Sequence, residues 1–128
     1  MPEGHITVFV ADDVPDMRLL VRLSLEEEND VRVVGEAGDG PTAVEEIRRL
    51  QPDVVVLDLS MPGLDGLEAI PVIHEVAPKT EIVVFSGFEA SKVADVALRT
   101  KASRFVQKGA PFGVLLEAVR ALAPPSPA

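Results

Sequence analysis

The feature that most constrains this chain is a run of four strand-forming apolar residues, 54–57, that leads directly into Asp58 and then into the turn dipeptide Pro62-Gly63. Such a run predicts a strand buried on both faces of a parallel sheet, with Asp58 at the point where the strand leaves the sheet. Ligands of open α/β sheets bind beyond the carboxyl ends of the strands. Asp58 is therefore a candidate nucleophile, and its partners should come from the ends of other strands.

The rest of the chain alternates strand patterns with helix patterns. Strands are predicted at 6–11, 31–34, 54–57, 81–85 and 103–107, and helices at 16–30, 43–50, 67–76, 90–100 and 111–122. This alternation predicts an α/β fold, a doubly wound (βα)5 three-layer sandwich with a parallel five-stranded sheet. The second and fifth strands mix polar with apolar residues, which places them at the edges and favours the flavodoxin-like order 2-1-3-4-5.

Several local features of the helices and of the chain end are also predicted. Asp16 is the expected N-cap of the first helix, and Pro71 should kink the third helix or delay its start because proline has no backbone N–H. Pro111 should open the last helix at the position that proline prefers. Residues 123–128 (APPSPA) should not pack, so we expect a disordered Pro-rich tail or the start of a linker.

Composition excludes several classes of function. The chain has 128 residues, enough for one domain with a real core, and its 21 acidic against 12 basic residues argue against binding to a nucleic-acid backbone. It has no cysteine, so only oxygen and imidazole ligands could hold a metal. No apolar run approaches the roughly 20 residues of a membrane span, and the first residues lack the basic start of a signal peptide, so we expect a cytoplasmic protein that binds no membrane.

Polar residues follow four of the five predicted strands. Asp12 and Asp13 follow the first strand, Asp58 the third, Ser86 the fourth and Lys108 the fifth. Because the first and third strands are neighbours in the predicted order, their three carboxylates should converge, and their mutual repulsion calls for a cation. Oxygen ligands suit Mg²⁺ (or Mn²⁺). Ser86 and Lys108 could bind an anion, which predicts a phosphoryl-transfer site.

Four motifs resemble the receiver domains of two-component response regulators: VFVADD, VVVLDLSMPGLDG, VVFSG and FVQKGAPF. The resemblance covers residues 1–122, which we expect to form one receiver domain. It implies that Asp58 is the phosphoacceptor, which takes a phosphoryl group from the phosphohistidine of a sensor histidine kinase or phosphotransfer protein, or from a small phosphodonor. The domain would then be a signalling phosphoacceptor that catalyses only its own phosphorylation and dephosphorylation.

The resemblance also implies a ligand set for the metal. Asp13, Asp58 and the backbone carbonyl of Ser60 would bind Mg²⁺ directly, and Asp12 would bind it through water. The same four positions lie at the ends of the first and third predicted strands.

Further roles implied by the resemblance concern the phosphoryl group and its signal. Lys108 and Ser86 would hold the phosphoryl oxygens. Ser86 would move toward the phosphoryl group and Phe105 would turn inward, which would change the face formed by the fourth predicted helix, the fifth strand and the last helix. Phe105 could instead be a simple packing residue on a half-buried strand.

Three residues should flank the phosphoryl group. Ser60 lies two positions after the acceptor, Gly87 follows Ser86, and Phe88 lies two positions after Ser86. We expect the ring of Phe88 to screen the acyl phosphate partly from water and so to lengthen its life.

Three other functions compete with this interpretation. A haloacid-dehalogenase-type phosphatase would need a second aspartate two residues after the nucleophile, where this chain has Ser60. A receiver-like module that is never phosphorylated would usually lack the acceptor, an acid or the lysine, and all are present. A flavodoxin-type FMN binder is disfavoured because an acidic crevice repels phosphate.

The resemblance gives two expectations about partners. We expect dimerisation through the switching face on phosphorylation. The segment VRVVGEAGDGPTAVEEI is similar to receivers that precede helix-turn-helix DNA-binding domains, so DNA binding would belong to another domain and not to this one.

Overall fold

A computed structural model describes residues 5–59, 61, 63, 66–87 and 102–124. In chain order, the described elements are β1 (Ile6–Ala11), α1 (Pro15–Glu26), β2 (Val31–Ala37), α2 (Gly40–Leu50), β3 (Val54–Leu57), α3 (Gly66–Val76), β4 (Glu81–Ser86), β5 (Arg104–Gln107) and α4 (Phe112–Leu122). The helix predicted at 90–100 lies outside the described residues. Among the helices that are described, none has the length and apolar content needed to cross a lipid bilayer.

The strands form one parallel sheet in the order β2-β1-β3-β4-β5. This order confirms the predicted doubly wound α/β fold, with β2 and β5 at the edges. The chain begins in β1, winds outward to β2, and then crosses back to β3 on the other side of β1. The winding direction therefore reverses between β1 and β3, at the place where such sheets bind ligands.

The core lies on both faces of the sheet, as the unbroken apolar strands predict. Along β3, Val55 and Leu57 pack with α2 and α3 in one buried cluster, while Val54 and Val56 pack with α1 and α4 in the other. All four side chains are at most 2% exposed. Because neither face of β3 meets water, apolar residues occupy every position until the strand ends at Asp58.

The start of α1 differs from the prediction. The helix begins at Pro15, with Val14 in the N-cap position and Asp16 already in the first turn. Proline fixes φ in the helical range and needs no partner for a backbone N–H, so it suits this first position. The N–H of Val14 donates to the Asp12 side chain at 2.9 Å. Asp16 is thus not the N-cap, because the N-cap position lies two residues earlier, at Val14.

Two proline predictions also need correction. Helix α3 runs from Gly66 through Pro71 to Val76, so the expected late start is wrong. The hydrogen bond lost at Pro71 is tolerated because the fully buried side chains of Ile70 and Ile73 anchor this helix in the core. Pro111 precedes the last helix instead of opening it, because its ψ of 143° is not helical.

The chain end packs further than predicted. Ala123 is half-buried against the core cluster that contains α4, so the segment that fails to pack cannot begin at this residue. Pro124 is exposed. Residues 125–128 lie outside the described part of the chain.

Candidate functional site

Three carboxylates converge at the carboxyl edge of the sheet. Ala11 in β1 pairs with Leu57 in β3, and the N–H of Asp58 donates to the carbonyl of Ala11 at 2.8 Å. This register brings the residues that follow the two strands side by side. Asp12, Asp13 and Asp58 each offer one carboxylate oxygen, and these oxygens lie within 4.8 Å of one another. The predicted convergence is therefore confirmed.

The acids differ in their exposure to solvent. Asp12 is 2% exposed and Asp58 is 4% exposed, whereas Asp13 is exposed. Buried carboxylates need hydrogen bonds or opposite charges. Asp12 has both, because one of its carboxylate oxygens accepts the N–H of Val14 at 2.9 Å and the other lies 2.7 Å from Nζ of Lys108.

Lys108 supplies positive charge to the acid cluster. It follows β5, and its Nζ lies 2.7 Å from Oδ2 of Asp12 and 3.4 Å from Oδ2 of Asp58. Burial lowers the pKa of Lys108, but the hydrogen bonds and charges of Asp12 and Asp58 outweigh this effect and raise the pKa overall. The side chain therefore stays protonated at neutral pH. The centroid of the Phe85 ring lies 5.9 Å from Nζ.

The end of β4 lies next to Lys108. The N–H of Lys108 donates to the carbonyl of Ser86 at 2.8 Å, and the Ser86 side chain is fully buried. Gly87 follows it at the surface, where an added Cβ would meet none of the described residues within 4 Å. Phe105 in β5 is half-buried and packs against the core cluster of α2 and α3. Ser60 and Phe88 lie outside the described residues.

This donor set fits a hard divalent cation. Three carboxyl groups lie close together and one ammonium group contacts two of them, so acidic groups outnumber basic ones in the cluster. All three candidate ligands are oxygens, and two of them are held by the ends of buried strands. The prediction that Mg²⁺ could bind here is consistent with this geometry.

One contact of the cluster was not predicted from the sequence. Arg18 in α1 donates from Nη1 to the backbone carbonyl of Asp12 at 2.6 Å, and its Nε lies 3.0 Å from Oε1 of Glu36 in β2. An arginine on an amphipathic surface helix has no distinguishing pattern in a single sequence. Arg18 lies six residues after Asp12, and this spacing predicts a contact only when the geometry of the turn between β1 and α1 is known.

Comparison with known proteins identifies the family. Residues 8–120 match the family model of the response regulator receiver domain. The chain belongs to this family. This receiver domain is 38% identical over 125 residues to a protein-glutamate methylesterase/protein-glutamine glutaminase of Thermotoga maritima, which covers 97% of the chain and 36% of the relative. It is 36% identical over 122 residues to the nitrate/nitrite response regulator protein NarP of Escherichia coli, which covers 94% of the chain and 57% of NarP.

Solved structures agree with this assignment. The receiver domain superposes on the response regulator domain of Thermotoga maritima CheB with a TM-score of 0.87 and 32% identity, covering 96% of this chain and 99% of that one. The isolated REC domain of RcsB from Salmonella enterica serovar Typhimurium, solved in the presence of phosphomimetic BeF3⁻, gives a TM-score of 0.85 and 30% identity over 92% of this chain and 88% of that one. The receiver domain spans only 36% and 57% of the two curated relatives, whose remaining parts have no counterpart in it.

Proposed function

We propose that this chain is a phosphoacceptor domain in which Asp58 takes a phosphoryl group from the phosphohistidine of a sensor histidine kinase or phosphotransfer protein. The observation that supports this most strongly is the grouping of Asp58 with Asp12, Asp13 and Lys108 at the ends of β1, β3 and β5. In this grouping the proposed nucleophile would lie beside both a potential cation site and an ammonium group.

The proposed step forms one bond and breaks one. A carboxylate oxygen of Asp58 attacks phosphorus, the bond between phosphorus and the histidine nitrogen breaks, and the imidazole leaves with the electron pair. Asp58 becomes an acyl phosphate. A small phosphodonor such as acetyl phosphate would react in the same way, with acetate as the leaving group.

The remaining residues of the site would bind charge. Asp13 and Asp58, with the carbonyl of Ser60, would hold Mg²⁺ directly and Asp12 would hold it through water; when bound, the ion would neutralise charge on the phosphoryl oxygens. Lys108 already lies 3.4 Å from the Asp58 carboxylate, within reach of a phosphoryl oxygen on Asp58. The hydroxyl of Ser86 would donate to another of these oxygens.

The site is suited to a signal that persists and not to repeated turnover. A phosphatase of the haloacid-dehalogenase type has an acid two residues after its nucleophile, and this chain has Ser60 there. Gly87 and Phe88 would flank the phosphoryl group, and Phe88 would limit the access of water. We therefore infer that the domain catalyses only its own phosphorylation and dephosphorylation.

The phosphoryl group would be read out by a change of conformation. Ser86 and Phe105 lie on the adjacent strands β4 and β5, so a shift of Ser86 toward phosphate would open space for Phe105 to move. We propose that this remodels the face of β5 and α4 together with the helix predicted at 90–100, which lies outside the described residues, and that the domain acts in the cytoplasm. A second copy of the domain, or an output domain that carries any DNA binding, would bind to this face.

Phosphorylation by acetyl phosphate tests the proposed function. The protein is incubated with acetyl phosphate and Mg²⁺, and intact mass spectrometry should show one added phosphoryl group. The group should be absent from Asp58→Asn and from wild type in EDTA. A parallel assay with a phosphomonoester distinguishes the phosphatase alternative, which predicts many turnovers per protein molecule. Phosphorylation of Asp58→Asn to the same extent as wild type would contradict the proposal.

A further inference from the structure

An arginine forms a hydrogen bond to the peptide that joins Asp12 and Asp13. Nη1 of Arg18 donates to the carbonyl oxygen of Asp12 at 2.6 Å. That carbonyl belongs to the peptide bond between Asp12 and Asp13. Arg18 thus reaches back from the first turn of α1 to the backbone between two candidate metal ligands, without contacting the carboxylates themselves.

The arginine is itself held in place. Its Nε lies 3.0 Å from Oε1 of Glu36 in β2, and the Arg18 side chain is only 20% exposed. Glu36 also pairs with Arg22, at 2.9 Å from its other oxygen. Glu36 therefore compensates the charge of Arg18 and orients its guanidinium plane toward the Asp12 carbonyl.

The space beside this guanidinium is available only because residue 38 is glycine. A Cβ at Gly38 would lie 2.8 Å from Nη1 of Arg18, closer than carbon and nitrogen can approach. The backbone of Gly38 lies outside the left-handed region, so its conformation does not itself require glycine. The absence of a side chain at this position leaves room for Arg18.

We propose that Arg18 is a positioning residue for the metal site, an inference that rests on the proposed function. Asp12 has further anchors, because its carboxylate is bound by Val14 and Lys108. Asp13 is exposed, so packing does not fix its carboxylate. The orientation of the Asp13 side chain depends instead on the peptide plane that Arg18 holds, and a preordered Asp13 spares the binding of Mg²⁺ an ordering cost.

Metal affinity tests this role directly. Mg²⁺ binding is measured by calorimetry on wild type and on Arg18→Met, and the loss of a group that orients a metal ligand should weaken binding about 10-fold. Arg18→Lys keeps the charge but not the planar fork, so its affinity should fall between the two. Arg22→Met is the matched control, because it removes the other partner of Glu36 and leaves the Asp12 carbonyl bonded. It should bind Mg²⁺ as tightly as wild type.

A substitution at Gly38 perturbs the same hydrogen bond between Arg18 and the Asp12 carbonyl. Gly38→Ala should displace the guanidinium and weaken Mg²⁺ binding as Arg18→Met does. The double variant that carries Arg18→Met and Gly38→Ala should bind Mg²⁺ no more weakly than either single variant, because both substitutions remove the same hydrogen bond between Arg18 and the Asp12 carbonyl. In phosphorylation by acetyl phosphate, the Mg²⁺ concentration for half-maximal rate should rise by the same factor, while the rate at saturating Mg²⁺ should return to that of wild type. A merely structural role of Arg18 would not produce this separation.

The outcomes distinguish this inference from the proposed function. Absence of Mg²⁺ binding by wild type would contradict the proposed function itself. Binding by wild type together with equally tight binding by Arg18→Met would overturn only the role of Arg18, and so would an equal loss in Arg22→Met. If the urea transition shows that Arg18→Met does not fold, Arg18→Lys and Gly38→Ala replace it. Mg²⁺ affinities of these two variants equal to that of wild type would then overturn the role of Arg18.

Discussion

Lys108 forms close ion pairs with two of the acids in the site. Nζ of Lys108 lies 2.7 Å from Asp12 and 3.4 Å from Asp58, both of which are buried. This ammonium group places positive charge beside two buried carboxylates at the ends of adjacent strands. The same ammonium group competes with any cation that enters the cluster.

Replacing Lys108 by methionine should therefore have two opposite effects. In EDTA at neutral pH, the free energy of unfolding should fall by about 1–3 kcal/mol, because two buried carboxylates lose their counter-charge. Addition of Mg²⁺ should stabilise the variant more than it stabilises wild type, since no ammonium competes with the ion. Urea unfolding with and without Mg²⁺ measures both effects.

A lysine outside the site provides the control for this prediction. Lys79 is exposed between α3 and β4. Lys79→Met should leave unchanged both the free energy of unfolding in EDTA and the stabilisation by Mg²⁺. Equal stability of Lys108→Met and wild type in EDTA would show that the ammonium does not compensate the acids.

At the residue scale, the sequence predicted most of what the described site contains. Asp12, Asp58 and Lys108 each follow a strand, and chain order alone determines which edge of a parallel sheet receives them. Arg18 could not be predicted, because its contact depends on a turn geometry that no residue pattern encodes. The roles of Ser60 and Phe88 stay predictions.

At the scale of the elements, the connection from β5 to α4 depends on a glycine. Gly109 has φ of 102°, in the left-handed region, and it lies directly after Lys108. Side chains other than glycine are strained in this region. The turn at Gly109 therefore contributes to the direction in which Lys108 leaves the sheet.

Two glycines of this segment make a matched pair for a test. In the described part of the chain, an added Cβ would meet nothing within 4 Å at Gly109 or at Gly113 in α4, so the two positions differ mainly in backbone conformation. Gly109→Ala should lower the free energy of unfolding by about 1 kcal/mol, whereas Gly113→Ala should not lower it and should raise it by up to about 0.5 kcal/mol. Chemical denaturation of both variants gives the comparison, and equal losses would exclude backbone strain as the cause.

The elements themselves were largely predictable, and their ends were not. Apolar runs and helical spacing predicted the described strands and helices because burial on the two faces of the sheet dictates both patterns. The start of α1 depended on a hydrogen bond from Val14 to Asp12, and Pro71 was tolerated inside α3 because of the burial of its neighbours. The hydrogen bond to Asp12 is a local contact of the turn, whereas the burial around Pro71 is a tertiary effect.

At the scale of the whole molecule, an ion pair joins parts of the chain that are 90 residues apart. Arg120 in α4 donates from Nε and Nη2 to the two carboxylate oxygens of Asp30, at 2.9 and 2.8 Å, and from Nη2 to Glu28 at 2.8 Å. The hydrogen bond from Arg120 lowers the pKa of Asp30 below its ordinary value of 3.8. This cluster ties the last helix to the connection between α1 and β2.

The lowered pKa predicts a dependence on pH with a definite sign. Asp30 contributes stability above its ordinary pKa of 3.8, and this contribution is lost as the pH falls through the lower pKa of the folded state. Asp30→Asn should therefore be slightly less stable than wild type at pH 7, and the difference should shrink as the pH falls below 3.8 and through the lower pKa of the folded state. Because both side chains are exposed, high salt should also reduce it. Urea unfolding across this pH range measures the difference, which should not grow on acidification.

The assignment of the whole fold required little beyond the alternation of elements, and the family model and the solved relatives confirm it. Both curated relatives are longer than this receiver domain, which covers 36% of the methylesterase and 57% of NarP.

The central claim is that the acids at the ends of β1 and β3 bind a divalent cation and prepare Asp58 to accept a phosphoryl group. Beryllofluoride, which mimics that group, tests it most directly when added with Mg²⁺ to ¹⁵N-labelled protein observed by amide NMR. We predict saturable shifts centred on Asp13, Asp58, Ser86 and Lys108 that require Mg²⁺ and are absent from Asp58→Asn. Shifts that persist in Asp58→Asn, or no shifts in wild type, would contradict the claim.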